Sequence, residues 1–254
     1  MAKLTTAEEI TSLREGGRRL SRVLDALQEM VFPGITTEEI DMLGERLILE
    51  GGDKPAFKNY QPDGASYPYP ATVCISVNDE VVHGIPGSRV LKKGDIVGLD
   101  IGLVHKGLVV DMARTIPVGE VGEEVRQLLA TTKEALKAGI KAAVAGNRIG
   151  DISSAIEALA VDKGYGVVRE LGGHGVGHKV HELPFVPNYG APKTGPKLEV
   201  GMVLALEPMF NLGKDDVYLE KDGYTYTTKD HSKSAHFEHT ILVTEKGPEV
   251  ITVS

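Results

Sequence analysis

At 254 residues the chain is long enough for one large domain or for two fused half-units. Its 41% hydrophobic and 25% charged content is that of an ordinary globular protein, and a net charge of -8 with signs mixed along the chain excludes a dedicated nucleic-acid binder, which would carry a basic face. A single cysteine, Cys74, excludes both a disulfide framework and a thiolate metal cluster.

In chain order, the opening segment Met1 to Glu9 lacks the apolar core of a signal peptide, and no apolar run approaches a membrane span. The expected compartment is the cytoplasm. The spacing predicts a helix over residues 6 to 31: Thr6 and Glu9 have capping-box spacing, and Ile10, Leu13, Leu20, Leu24 and Leu27 recur at helical intervals. After Pro33-Gly34, Thr36 and Glu39 repeat the cap, Ile40, Leu43 and Leu47 continue a second helix, and Gly51-Gly52 closes it. Residues 53 to 70, rich in Pro, Tyr and Gly, read as a loop. Residues 71–77, 95–104 and 108–118 read as strands, and 122–145 and 149–164 as a second helix pair. Strands return near 165–170, 201–207, 224–228, 236–244 and 249–253. Helices grouped apart from strands predict an α+β class, with a curved, largely antiparallel sheet covered by helices. The order helix, helix, strands occurs twice, so the expectation is one domain of two half-repeats, about 1–120 and 121–254, with no linker.

The duplication is visible in the residues. Leu91-Lys-Lys-Gly-Asp-Ile-Val-Gly-Leu-Asp100 lines up with Leu198-Glu-Val-Gly-Met-Val-Leu-Ala-Leu-Glu207. Each half then supplies a second acid ahead of a strand-like run, Asp111 and Glu238. Four carboxylates at matching positions of a repeat can converge where the copies meet. Like charges repel and burial disfavours ionisation, so bound cations are the simplest reason for them to gather. Between the acid pairs lies a glycine-rich run in which His174 is surrounded by four glycines, which let backbone approach closely. Asp100, Asp111, His174, Glu207 and Glu238 are therefore the proposed ligands. Four carboxylates and one imidazole can hold two divalent ions sharing a water, roughly 3.5–4 Å apart, and oxygen-rich ligation suits Mn²⁺, Fe²⁺, Co²⁺ or Zn²⁺. Taken singly each residue has an ordinary explanation; Asp111, for instance, could simply pair with Arg114. Their joint placement in a duplicated frame argues otherwise. The run lacks the G-x-x-x-x-G-K-[ST] order of a phosphate loop.

These features resemble the methionine aminopeptidases of the pita-bread metallopeptidase superfamily, over nearly the whole chain. The resemblance rests on Val77-Asn-Asp-Glu-Val-Val-His-Gly-Ile-Pro86, on Asp100 with Asp111, and on Gly173-His-Gly-Val-Gly followed by His181-Glu-Leu-Pro184. Leu206-Glu-Pro208 and Ser234-Ala-His-Phe-Glu-His-Thr240 complete it. It implies the pita-bread fold and a dinuclear site in which Asp111 and Glu238 bridge, Asp100 binds one metal, and His174 and Glu207 bind the other. It also implies that His83 contacts the scissile amide, that His181 polarises the substrate carbonyl and that Glu207 shuttles a proton. The His174 to Glu207 interval of 33 residues is too short for the type II insertion, and no long N-terminal domain precedes the motifs, so a type I enzyme is implied.

The chain also departs from the family pattern. The usual Tyr-His-Gly-Phe/Tyr-Pro segment reads Ala65-Ser-Tyr-Pro-Tyr-Pro70 within a longer loop, and Val180 and Tyr224 stand where other aromatics are usual. Tyr69, Cys74 and Tyr224 are expected to form the methionine pocket. The implied activity is removal of initiator methionine from nascent polypeptides with a small second residue. The alternatives are another specificity, such as Xaa-Pro, and a non-enzymatic binding module, which loss of ligands would signal. A monomer is expected. Lys133, Lys137 and Lys141 form one helical stripe; its ordinary reading is a solvated face, and its functional one a transient ribosome contact.

Overall fold

Both N-terminal helices begin at the expected capping boxes. The computed structural model describes residues 3–253. In α1 (Ala7–Glu29) the Thr6 hydroxyl accepts from the Glu9 N–H while the Glu9 carboxylate accepts from the Thr6 N–H. Thr36 and Glu39 repeat this at α2 (Thr37–Glu50). Leu13, Leu20, Leu24 and Leu27 are buried along one stripe of α1, each worth roughly 1.5–3 kcal/mol of apolar transfer. Then follow β1 (Lys54–Pro55), β2 (Val73–Val77), β3 (Glu80–Val82), β4 (Ile96–His105) and β5 (Leu108–Pro117). The second half begins with α3 (Glu123–Ala142) and α4 (Ile149–Lys163) and continues with β6 (Gly166–Val167), β7 (Gly172–Gly175), β8 (Glu182–Pro187) and β9 (Val203–Leu206). The last strands are β10 (Met209–Asn211), β11 (Val217–Leu219), β12 (Tyr226–Thr228), β13 (Ser234–His236), β14 (His239–Thr244) and β15 (Gly247–Val250).

The long elements lie where the sequence put them. The short strands β3, β10 and β11 and the six-residue β8 were not foreseen, β1 lies within residues 53–70 that read as a loop, and residues 236–244 form two strands that break at Phe237-Glu238. The centre of the glycine-rich run is a strand, β7, inside a five-stranded sheet of order β15-β14-β9-β7-β8. The pairings among these strands are antiparallel. A second sheet joins β1, β4 and β2, with β5 paired to β4, and two three-stranded sheets complete the fold. One hydrophobic core lies under α1 and α2 and draws in Val176, Val203, Ala205, Leu242 and Ile251 from the later strands. A second lies under α3 and α4, around Phe210, Leu204 and Ile156.

The β4–β5 hairpin is stitched to the later strands along β5. Ala113 and Glu238 exchange backbone hydrogen bonds, with N···O distances of 3.4 and 2.9 Å. The Thr240 hydroxyl accepts from the Asp111 N–H and donates to the Asp111 carbonyl. Thr115 does the same with His236. This seam fixes Asp111 and Glu238 against each other, and the site is built around it.

Candidate metal centre

Strand periodicity explains the first acid pair. In the β4–β5 hairpin Asp100 faces Ala113 and Asp111 faces Gly102, so both carboxylates emerge diagonally on one face. Asp111 therefore lies mid-strand rather than ahead of its strand. Glu238 arrives from the β13–β14 junction on the far side of the seam. His174 comes from β7, paired with Ala205 of β9 and Phe185 of β8. A Cβ at its neighbour Gly173 would lie 2.3 Å from the Ala205 carbonyl oxygen, so only glycine lets β7 approach β9 this closely. Glu207 follows β9 directly.

All five expected residues line one cavity, and three of them form a tight group. Asp111, His174 and Glu238 each offer a ligand atom, and these lie within 4.8 Å of one another. Glu207 adjoins them, its Oε1 at 3.6 Å from His174 Nε2. Arg114 does not pair with Asp111; it turns outward to Asp25. His236, which the sequence reading passed over, presents Nε2 at 3.4 Å from Glu207 and 4.0 Å from Glu238. Its position inside the Ser234 to Thr240 motif was the available signal.

The electrostatics are those of a cation site. Burial first, then the charges of Asp111 and Glu207, push the Asp100 carboxyl well above the usual range. Burial and the Asp111 charge do the same to Glu238, and burial raises Asp111 to about 6. Burial also acts to raise Glu207, but hydrogen bonding to His236 and the nearby His174 outweigh it and hold this acid below its usual range. Among the described residues, Asp100 Oδ1 and Glu238 Oε1 are buried without a hydrogen-bond partner. His174 Nδ1 lies 2.9 Å from the Gly175 carbonyl, which can only accept. That leaves the Nε2 lone pair aimed at the acids. In the neutral ring this lone pair is a free metal donor beside the acid oxygens. The donor set thus fits divalent metal.

The surrounding cavity encloses about 540 Å³, including its open mouth. The expected pocket residues Tyr69, Cys74 and Tyr224 line it, with Val180, His83 and His181. Phe57, Tyr60 and Pro62 of the long loop also line it and were not foreseen. Tyr224 packs edge-on against Tyr67 and Tyr69, each with centroids 5.1 Å apart. The Tyr69 hydroxyl donates to the Gly84 carbonyl at 2.8 Å. Cys74 is buried, and burial pushes its thiol well up, so it acts as a small apolar wall rather than a nucleophile. His83 adopts φ 60°, a left-handed conformation that non-glycine residues rarely hold outside special sites. Burial lowers the His83 imidazole to about 4. His181 exposes one edge at the mouth, yet the protein enclosing its other sides, together with His174, still pushes it down. Both rings are neutral at pH 7.

The sequence pattern of metallopeptidase family M24 matches residues 11–245. The chain is 45% identical over 253 residues to a methionine aminopeptidase of Clostridium perfringens, covering 100% of this chain and 99% of that one. A solved methionine aminopeptidase from Thermotoga maritima is 41% identical and superposes with a TM-score of 0.95, with complete coverage of both chains. A Xaa-Pro dipeptidase from Bacillus anthracis shares the pita-bread fold at a TM-score of 0.78 and 24% identity, but this chain spans only 62% of it.

Proposed function

Because the chain belongs to metallopeptidase family M24, we propose that it is a metal-dependent aminopeptidase that releases the initiator methionine from nascent proteins and peptides whose second residue is small. One observation carries this: a cluster of buried acids and an imidazole, with unpartnered oxygens, borders a cavity walled by Tyr, Phe and Cys side chains. The similarity to methionine aminopeptidases covers the full chain. The likeness to the Xaa-Pro dipeptidase is one of fold. We also read the chain as one catalytic domain made of half-repeats, 1–120 and 121–254; the core under α1 and α2, which takes residues from both, supports this.

Asp100, Asp111, His174, Glu207 and Glu238 are the residues to hold divalent metal. Five such ligands would suit two ions, with Mn²⁺, Fe²⁺, Co²⁺ and Zn²⁺ as candidates. When bound, such ions supply Lewis acidity and lower the pKa of water. Glu207, kept ionised by its histidine neighbours, takes a proton from the attacking water. His181, neutral and at the cavity mouth, donates to the carbonyl oxygen as negative charge grows there. His83 contacts the scissile amide. Tyr69, Cys74 and Tyr224, with Phe57 and Val180, hold the methionine side chain, whose flexible thioether suits aromatic and sulfur walls. A nascent chain as substrate brings the enzyme near the ribosome; Lys133, Lys137 and Lys141 are exposed, but Lys137 already pairs with Glu134, as on a solvated helix face.

The test is a peptide panel with mass detection on protein loaded with each metal in turn. Methionine release from Met-Ala-Ser, with Xaa-Pro peptides and N-acetyl-Met-Ala-Ser left intact, is the expected result. Faster cleavage of Xaa-Pro peptides would replace this specificity with the alternative one.

A further inference from the structure

The longer loop that departs from the family pattern places a hydroxyl behind His181. Tyr60 Oη lies 3.1 Å from His181 Nδ1, and the two rings meet edge-on with centroids 5.4 Å apart. On its other side His181 meets the edge of His174, at 4.6 Å and an interplanar angle of 89°. The imidazole is thus clamped between two rings, with one nitrogen committed to Tyr60.

The tyrosine is itself fixed. The Tyr60 N–H donates to the Phe57 carbonyl at 2.8 Å, which closes a tight turn. The Tyr69 N–H donates to the Tyr60 carbonyl at 2.8 Å, and the Asn59 N–H donates to the Tyr69 carbonyl at 2.9 Å. Asn59 takes φ 68°, a conformation that asparagine tolerates better than most residues, and so turns the chain for this pairing. Tyr69 in turn is anchored through its own hydroxyl to Gly84, next to His83. Loop, pocket wall and both histidines form one connected unit.

The proton's place follows from the chemistry of the partners. A phenol O–H is a good donor and a ring nitrogen lone pair a good acceptor, whereas a phenol oxygen accepts weakly because its lone pairs are drawn into the ring. Among the described residues Tyr60 Oη has no other hydrogen-bond partner. We propose that Tyr60 is a positioning residue: its hydroxyl donates to Nδ1 of His181, holds that ring in the Nε2–H tautomer, and so keeps an N–H facing the substrate carbonyl oxygen. The proposal deepens the aminopeptidase reading and rests on it. Without Tyr60 the tautomer would be free to exchange, and a lone pair could face the developing oxyanion in place of a donor.

Tyr60→Phe keeps the ring and removes the hydroxyl. On metal-loaded protein with Met-Ala-Ser, kcat should fall on the order of 10-fold, less than the 10²–10³ seen when an oxyanion donor is removed outright. KM should stay within about twofold, since ground-state binding is untouched. In a His181→Ala background the same substitution should change nothing. The ¹⁵N shifts of histidine-labelled wild type should show His181 protonated at Nε2, and Tyr60→Phe should show a tautomer mixture. Unchanged kcat in Tyr60→Phe, an equal loss in the His181→Ala background, or wild-type shifts with Nδ1 protonated would each overturn the proposal. If wild type releases no methionine, the aminopeptidase reading fails instead, and the nitrogen shifts still decide the hydrogen bond.

Discussion

Two glycines should respond to the same substitution in opposite directions. A Cβ at Gly173 would lie 2.3 Å from the Ala205 carbonyl oxygen and 3.3 Å from Val186 Cβ. Ordinary contacts begin near 3.5 Å, so β7 and β9 must separate by about 1 Å, and because the blocking atom is backbone no side chain can rotate away. Overpacking of this kind costs about 1–3 kcal/mol, which lowers Tm by roughly 2–12 °C in a chain of this size. The displaced strand carries His174, so metal affinity should fall about 10–100-fold, as when a ligand's support is lost. A Cβ at Gly98 of β4 would meet Ser76 O and Thr115 Oγ1, both at 3.7 Å, which is ordinary contact. Gly98→Ala should therefore be neutral, or stabilising by up to about 1 kcal/mol through the unfolded chain. Scanning calorimetry and Mn²⁺ titration of both variants decide the matter. Equal melting temperatures and equal affinities would refute the claim that close strand approach, rather than glycine's flexibility alone, holds His174 in place.

Phe210 is fully buried in the second core, so Phe210→Ala should cost about 3–5 kcal/mol in urea unfolding; a loss under about 1 kcal/mol would mean that the site collapses to fill the gap. Burial raises the Asp111 carboxyl from 3.8 to about 6 in the folded protein. A raised acid binds its proton more tightly when folded, so this group's contribution is favourable below 3.8 and is lost as pH rises through about 6. Chelated Asp111→Asn should therefore be more stable than chelated wild type at about pH 7.5, and Mn²⁺ should no longer stabilise it; greater stability of the chelated wild type would contradict the crowding of charge. The opposite sign applies at the α1 cap. Hydrogen bonds from Thr6 and Thr5 lower Glu9 to about 2, so its contribution is present above 4.5 and disappears as pH falls toward about 2. Glu9→Gln should flatten that acid limb, read as amide exchange at the start of α1; an unchanged limb would assign it to other carboxylates.

Much of this was legible because the informative residues sit in long, periodic elements or in a repeated frame. Leu13 to Leu27 mark α1, and the Leu91 to Asp100 and Leu198 to Glu207 segments mark the acids, so the proposed ligand set could be named before any contact was known. The strand β7 was hidden because Gly172 to Gly175 has neither alternation nor branched side chains. It is a strand through close backbone packing against β8 and β9, which glycine permits without advertising. Strands β3, β10 and β11 have three residues each, too few for a period to register, and the partners of β3 and β10 lie far away in sequence. Tyr60 belongs to a loop whose conformation depends on hydrogen bonds to Tyr69, so its meeting with His181 had no local signature. His236 carried a signal, its place beside Glu238, but no spacing rule distinguishes it from a structural histidine.

The account depends on acids from both halves of the chain meeting around metal. The most direct measurement is an anomalous difference map from a crystal of the chelated protein soaked in Mn²⁺. The account predicts two adjacent peaks, bounded by Asp100, Asp111, His174, Glu207 and Glu238, with Asp111 and Glu238 touching both. Metal bound elsewhere, or these five side chains left without density between them at saturating Mn²⁺, would contradict it.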